Sequence, residues 1–225
     1  LKALFLTCAR NGSKGIKNKN LAEVAGKPLI HHTLDFLKTS QLDHDLVLSS
    51  DGDPIASACQ DKVDLLVQRP EALASDTAAR APVLKHAFEQ AEAHFGTRYE
   101  LVFDFLVTAP LRSHVDIQAC LELLQKQDVE NVITAVPSHR SPYFNMVELE
   151  GQAPKVVKGL GDCTRRQDAP ATFDMNGSIY AWTREAFLRG AKLFTPKTRL
   201  HVMDESTGID VDTAFDLKIL KHLIP

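Results

Sequence analysis

At 225 residues, 44% of them hydrophobic, the chain can bury a core as one large domain or one domain carrying an insertion. A net charge of −3 excludes a broad nucleic-acid surface, which needs a basic face to displace counterions. Cys8, Cys59, Cys120 and Cys163 form no C-x-x-C pair, so a reducing, cytoplasmic setting is expected rather than a zinc site or disulfide framework.

The apolar opening over residues 1–8 is too short for a secretion signal, and no run reaches the roughly 20 apolar residues of a membrane span. Residues 3–8 read as a buried strand, followed by a polar loop over 9–20 and a helix over 29–37. A strand over 46–50 leads to a short helix over 54–60 and a short strand over 64–67. Val83, Leu84, Ala87, Phe88, Ala91 and Phe95 recur at the helical period, which predicts a helix over 78–95. Strands over 101–108 and 132–136 bracket a helix over 115–124. This series predicts a three-layer α/β/α, Rossmann-like fold with a mostly parallel sheet covered on both faces. From about 138 to 175 turn residues and charges replace the pattern, which reads as an irregular β-ribbon arm within a single domain, 1–225. Regular structure resumes with a strand over 178–182, a helix over 184–189, a strand over 199–203 and a helix over 213–223. Cys8 and Cys120 lie in apolar patterns and are expected to be buried.

In open α/β sheets ligands bind at the carboxyl ends of the strands, which directs attention to the loop after the first strand. It reads Arg10-Asn11-Gly12-Ser13-Lys14-Gly15-Ile16-Lys17-Asn18-Lys19-Asn20. Gly12 and Gly15 permit close approach of backbone N–H groups to an anion, and Arg10, Lys14 and Lys19 add positive charge. Neither the G-x-x-x-x-G-K-S/T nor the G-x-G-x-x-G spacing is present, which removes the support for an ATPase loop or a dinucleotide fingerprint. A solvated basic turn has the same composition; the position directly after a buried first strand favours phosphate.

Near the other end, Asp210 and Asp212 alternate in what reads as an extended segment, so their side chains face one way about 6–7 Å apart. Such a pair suits Mg²⁺ (or Mn²⁺), which completes its shell with water and phosphate oxygens. The alternative is that Asp212 caps the helix starting at Thr213. His31 and His32 open a helix without a ligand-spaced partner and read as packing or capping residues.

These residues carry a resemblance. Residues 9–16, with Lys19-Asn20-Leu21 and Gly26-Lys27-Pro28-Leu29-Ile30, resemble the opening signature of acylneuraminate cytidylyltransferases. The likeness continues through Arg69-Pro70-Glu71-Ala72-Leu73-Ala74-Ser75-Asp76, Thr108-Ala109-Pro110-Leu111-Arg112, Arg166-Gln167, Asn176-Gly177-Ser178-Ile179-Tyr180 and Gly208-Ile209-Asp210-Val211-Asp212, in family order. The related Kdo cytidylyltransferases open differently, with an Arg-Leu-Pro-Gly-Lys-Pro type sequence. The resemblance implies transfer of CMP from CTP to the anomeric hydroxyl of a nonulosonic, sialic-acid-like sugar, with release of pyrophosphate. It implies Arg10, Lys14 and Asp210 as catalytic residues, and Arg10, Asn11, Gly12, Ser13, Lys14, Asn20, Arg69 and Asp76 as nucleotide-binding residues. It further implies Leu106, Thr108, Arg166, Gln167 and Asn176 around the sugar, Asp210 and Asp212 on the metal, and a homodimer joined through the arm. Asp76 as a helix cap and Arg112 as a loop anchor are the structural alternatives at those positions.

Departures from the family bear on the sugar. Many members carry Gln-Pro-Thr-Ser-Pro-Leu-Arg; here Leu106 replaces that Gln, and leucine makes no hydrogen bond to a hydroxyl or amide. Phe144 stands where some sialic acid enzymes have Lys, and Asp174 stands near a position that is often Arg. A more apolar pocket suits a deoxy, diacetamido sugar such as legionaminic acid. The competing readings are transfer to Kdo or pseudaminic acid, and a catalytically silent nucleotide-binding dimer.

Overall fold

The computed structural model describes residues 1–12, 15–75, 78–159 and 165–224, with Arg166 described by its backbone alone. The expected site residues Ser13, Lys14 and Asp76, and the side chain of Arg166, lie outside the described residues. The chain begins with β1 (Ala3–Ala9), a small hairpin of β2 (Glu23–Val24) and β3 (Lys27–Pro28), α1 (Leu29–Lys38), β4 (His44–Ser50) and α2 (Asp53–Cys59). It continues with β5 (Leu65–Gln68), α3 (Arg80–Phe95), β6 (Leu101–Phe105), α4 (His114–Leu124) and β7 (Asn131–Pro137). The arm holds the hairpin of β8 (Val147–Glu150) and β9 (Ala153–Val156), after which come β10 (Phe173–Thr183), α5 (Arg184–Leu188), β11 (Thr198–Val202) and α6 (Ala214–Leu223).

Among the described residues, the main sheet has seven strands in the order β11-β7-β10-β6-β1-β4-β5. Its strands run parallel except β10, which is antiparallel to both β6 and β7. The three-layer, mostly parallel expectation therefore holds. The chain leaves β1 through β4 and β5, then returns on the other side of β1 at β6. That reversal opens a crevice at the carboxyl end of β1.

Alternation along β1 divides the core in two. Ala3, Phe5 and Ala9 pack with Leu29 and Leu34 of α1, Ile117 and Cys120 of α4, and Leu220 of α6. Leu4 and Leu6 pack on the opposite face with Leu84, Phe88 and Ala91 of α3 and Phe187 of α5. On this second face the apolar lining stops before the strands do. Cys8 lies beside Ser49 of β4, and Leu6 lies beside Asp104 of β6, which in turn pairs with Tyr180 of β10. A polar patch thus terminates the α3 side of the sheet.

Several boundaries differ from expectation for identifiable reasons. The strand expected over 178–182 is the long β10, whose first half pairs with β7 before a register shift between Met175 and Tyr180. The strand expected over 101–108 stops at Phe105 because Arg112 draws the following turn together. Its guanidinium donates to Leu106 O at 2.5 Å, to Ala109 O, and to Ser178 Oγ at 3.0 Å, so it is the loop anchor. Thr213, not Asp212, caps α6, in a capping box closed with Asp216. Cys120 is buried as expected, whereas Cys8 is partly exposed. His31 and His32 bond the carbonyls of Ala58 (2.9 Å) and Val24 (2.8 Å), in keeping with packing roles. No helix among the described residues is long and apolar enough to cross a membrane.

The Thr213 box is a local device whose removal has a defined cost. Thr213→Ala should destabilise the protein by about 1 kcal/mol. For a chain of this size that lowers Tm by roughly 2–4 °C. A calorimetric scan checks it, and an unchanged Tm would show that tertiary packing alone orders the start of α6.

Candidate active site

The loop after β1 is held from both sides. The Asn11 N–H donates to Asp51 Oδ1 at 2.8 Å, and Gly52 lies close against the Asn11 side chain. Buried Asn20 donates from Nδ2 to Arg10 O at 3.0 Å, which bridges the two ends of the loop. On the far side Gly15 lies against the Asp212 carbonyl so closely that a Cβ there would overlap its oxygen. Lys19 Nζ then reaches Asp212 Oδ1 at 2.8 Å. Gly12 has φ +81°, a left-handed conformation that favours glycine.

Arg10, Gly15, Lys19, Asn20 and Asp212 line a cleft of about 460 Å³ together with Cys8, Arg69, Leu73, Ser75, Ala78, Arg80 and Val83. Arg69 follows β5 and is only 6% exposed. It donates to Ser49 O at 2.9 Å and Ser49 Oγ at 3.3 Å, so its head is fixed at the cleft wall. Burial pushes the Cys8 thiol up to about 11, which leaves it neutral at ordinary pH.

The late carboxylates divide between two environments. Val211 is fully buried, and its N–H donates to Thr108 O at 2.8 Å, which ties this segment to the turn after β6. Asp212 is 73% exposed in its side chain and meets Lys19. Asp210 is largely enclosed, and its Oδ1 has no hydrogen-bond partner. Burial raises the pKa of Asp210; the Thr108 hydroxyl opposes this and the charge of Asp212 adds to it. Leu106 Cδ2, Tyr180 Oη and Asp210 Oδ2 all lie within 3.8 Å of where a Cβ on Gly177 would sit. The pair therefore spans from the cleft to a second patch built by Leu106, Gly177 and Tyr180. Among the described residues no group of three or more His, Cys, Asp or Glu gathers as a metal cluster.

Of the residues expected at the sugar, Leu106 and Thr108 adjoin Asp210. Asn176 is 2% exposed, and its amide is engaged internally: Oδ1 accepts from Thr134 Oγ1 (2.8 Å) and Ser178 N (3.2 Å), and Nδ2 contacts Met203 Sδ at 3.2 Å. Its place is that of a brace for the irregular part of β10. Gln167 sits exposed on the turn Arg166–Asp168 and is not among the cleft-lining residues. Sequence reasoning missed the ion pair of Arg80 with Asp104, at 2.6 and 2.7 Å, on the cleft wall. The signals were present: a lone carboxylate inside an apolar strand demands a partner, and a cation in the first turn of a helix opposes the helix dipole.

A basic loop facing paired carboxylates across the switch point of a mostly parallel sheet is the cleft of an α/β nucleotidyltransferase. The chain belongs to the cytidylyltransferase family, whose model (Cytidylyltransferase) matches residues 4–221. It is 42% identical to a CMP-N,N'-diacetyllegionaminic acid synthase of Campylobacter jejuni, over 98% of this chain and 94% of that protein. It is 31% identical to an N-acylneuraminate cytidylyltransferase of Streptococcus agalactiae, over 99% of this chain but 54% of that longer protein. The solved structure of CMP:2-keto-3-deoxy-manno-octonic acid synthetase complexed with CTP has a TM-score of 0.72 at 16% identity, covering 99% of this chain and 98% of that one. This last likeness is one of fold.

Asp210, largely enclosed and with its Oδ1 unbonded, gives a signed pH prediction. Its pKa is raised on folding, so it contributes stability below the ordinary carboxylate range that is lost as pH rises through the folded value. In chelator-treated protein, Asp210→Asn should therefore raise Tm at pH 7, with the gain disappearing as pH falls to about 4. Thermal melts across that range test this; a loss of stability at pH 7 would mean that the Thr108 hydrogen bond outweighs the cost of burying the charge.

Proposed function

We propose that this chain transfers CMP from CTP to the anomeric hydroxyl of an acidic nine-carbon sugar, and that the sugar is of the diacetamido, legionaminic type. The observation that carries the reading is the basic loop seated on Asp212 beside an Asp210 whose buried oxygen no protein group satisfies. That orphaned oxygen fits a hard cation: Asp210 and Asp212 would hold Mg²⁺ (or Mn²⁺). Bound there, a cation would supply charge neutralisation and would ease ionisation of the attacking hydroxyl.

Arg10, Lys14 and Arg69 bind the triphosphate and oppose the charge that develops on the departing pyrophosphate. The sugar's anomeric oxygen forms the new bond to the α-phosphorus as the bond to the bridging oxygen breaks; its proton passes to water. Such a transfer depends mainly on in-line positioning and charge stabilisation, and no histidine lines the cleft among the described residues. Arg166 is assigned to the sugar carboxylate. Leu106 against Gly177 supports an apolar wall where methyl-bearing sugars pack better than hydroxylated ones. The relative named as a legionaminic acid synthase, at 42% identity, supports the same choice. The free Cys8, Cys59 and Cys120 suit action in the cytoplasm.

The unit acts as a homodimer in this reading, with the arm over about 138–175 as its joint. Phe144, Met146, Val147 and Leu149 of the arm are exposed, as are Phe173 and Met175 of β10 and Leu200 and Val202 of the edge strand β11. Met146, Phe173, Met175, Phe194 and Leu200 line a common groove. An apolar patch of this kind marks an interaction surface.

Pyrophosphate release from CTP and Mg²⁺ should be fastest with legionaminic acid among N-acetylneuraminic, legionaminic and pseudaminic acids and Kdo. Asp210→Ala should reduce it by at least about 100-fold, and Leu106→Gln should shift preference toward N-acetylneuraminic acid. Silence with all four sugars from folded, CTP-binding protein would favour the nucleotide-binding module instead. Separately, sedimentation velocity should give a dimer that Phe173→Asp with Leu200→Asp converts to monomer; a monomeric parent protein would remove the dimer proposal.

A further inference from the structure

Helices α4 and α6 each begin with a capping box directly after a segment that carries site residues. In α6, Asp216 Oδ2 accepts from Asp212 N and from Thr213 N and Oγ1, and the residue is partly exposed. In α4, Asp116 Oδ2 accepts from Ser113 N at 2.8 Å and Ser113 Oγ at 2.7 Å, which already completes the box. Asp116 has a further tie: it is buried, and its Oδ1 meets Nε2 of His201 at 2.9 Å. His201 lies 85 residues further on, in the edge strand β11. Burial by itself raises the pKa of Asp116, but the bonds from His201 and Ser113 outweigh it and hold the carboxyl below the usual carboxylate range. An ionised carboxylate only accepts, so Nε2 is the donor.

The box anchors the turn that precedes it. Ser113 follows Arg112, whose guanidinium gathers the Leu106 and Ala109 carbonyls. Arg112 is enclosed, and the charges of Asp104 and Asp116 favour its protonated form against the effect of burial. On the other side, β11 runs on into the segment that carries Asp210, and Val211 N donates to Thr108 O. The bond of His201 to Asp116 and the bond of Val211 to Thr108 are thus two struts between the same pair of segments. Beside them is a cavity of about 430 Å³, lined by Arg112 and Ser113 from the turn and by Asp204, Ser206 and Thr207 from the Asp210 segment. Across that gap side-chain packing does not fix the separation of the two segments, so the bonded struts must.

We propose that His201 is a positioning residue for the acceptor sugar, acting through Asp116 and Ser113 to hold the Leu106–Thr108 turn in place against Asp210. The inference rests on the assignment of Leu106 and Thr108 to the sugar in the function proposed above. The triphosphate in that function is met by the loop after β1 and by Arg69, whose ties run to Asp51, Asn20 and Ser49 and not to this turn. Loss of the His201 strut is therefore expected to fall on the sugar and to spare CTP.

Three variants separate this role from plain support of the fold. His201→Leu removes the donor at similar size. His201→Gln returns an N–H at the same number of bonds from Cα, and His201→Asn offers one a bond shorter. The readout is pyrophosphate release, with CTP and the preferred of the four sugars varied in turn, beside thermal melting of each variant. His201→Leu should raise KM for the sugar about tenfold while KM for CTP stays within about twofold, and His201→Gln should recover most of the loss. If His201→Leu does not melt cooperatively, His201→Asn decides, with the same expectation. A lowered Tm with both KM values unchanged, equal rises in both, or no recovery in His201→Gln overturns this inference while transfer by the parent protein still stands. A parent that releases no pyrophosphate with any of the sugars overturns the sugar reading, and this inference with it.

Discussion

Gly15 rests on the carbonyl of Asp212, and Lys19 closes on the carboxylate of the same residue. Through these contacts the first loop and the last functional segment, whose bonded residues are 193 apart in sequence, become one wall of a cleft. The approach needs a residue without a Cβ, since any side chain at position 15 would push the two backbones apart. Other parts of the site depend on that seating. Asn20 and Asp51 hold the loop's two flanks, and the Thr213 cap turns the chain into α6 directly after Asp212.

The site concentrates groups that a protein evolved only for stability would avoid. Asp210 has a buried oxygen with no partner, a costly state that persists because the tie between Val211 and Thr108 fixes the backbone around it. Arg112 is enclosed with carbonyls and a hydroxyl as its bonded acceptors. Burial pulls its pKa down to about 9, although the charges of Asp104 and Asp116 act in the opposite sense. Its gain is geometric: one guanidinium gathers the Leu106 and Ala109 carbonyls and so shapes the turn that carries Leu106 and Thr108. Arg80 has its full countercharge in Asp104 and so sits at the cleft wall without adding net charge there.

Much of the fold was legible from local pattern. The 3.6 period over α3 and the alternation or apolar runs of β1, β4, β6 and β7 each report burial on a helix stripe or sheet face, a property of neighbouring residues. The loop after β1 and the Asp210–Asp212 pair were legible because glycine, basic residues and carboxylates cluster within a few positions. The length of β10 was not, because its first half is a strand only by virtue of pairing with β7. Cys8 reads as one more apolar residue of β1, yet the polar end of the α3 face leaves it at the cleft.

The sequence by itself determined the alternation of strands and helices, the two chemical clusters at opposite ends of the chain, and the family to which their order points. Tertiary structure alone decided which carboxylate meets Lys19, that the Asn176 amide is held by Thr134 and Ser178, and that Arg80 and Asp104 are partners across 24 residues. The physical reason is common to these cases. Periodicity records which face of an element is buried, but partnership between charged or polar groups depends on strand order and on the direction in which each crossover returns. A sheet whose order reverses beside β1 brings β6 and the start of α3 to the same cleft as the first loop. No local run of residues encodes that meeting.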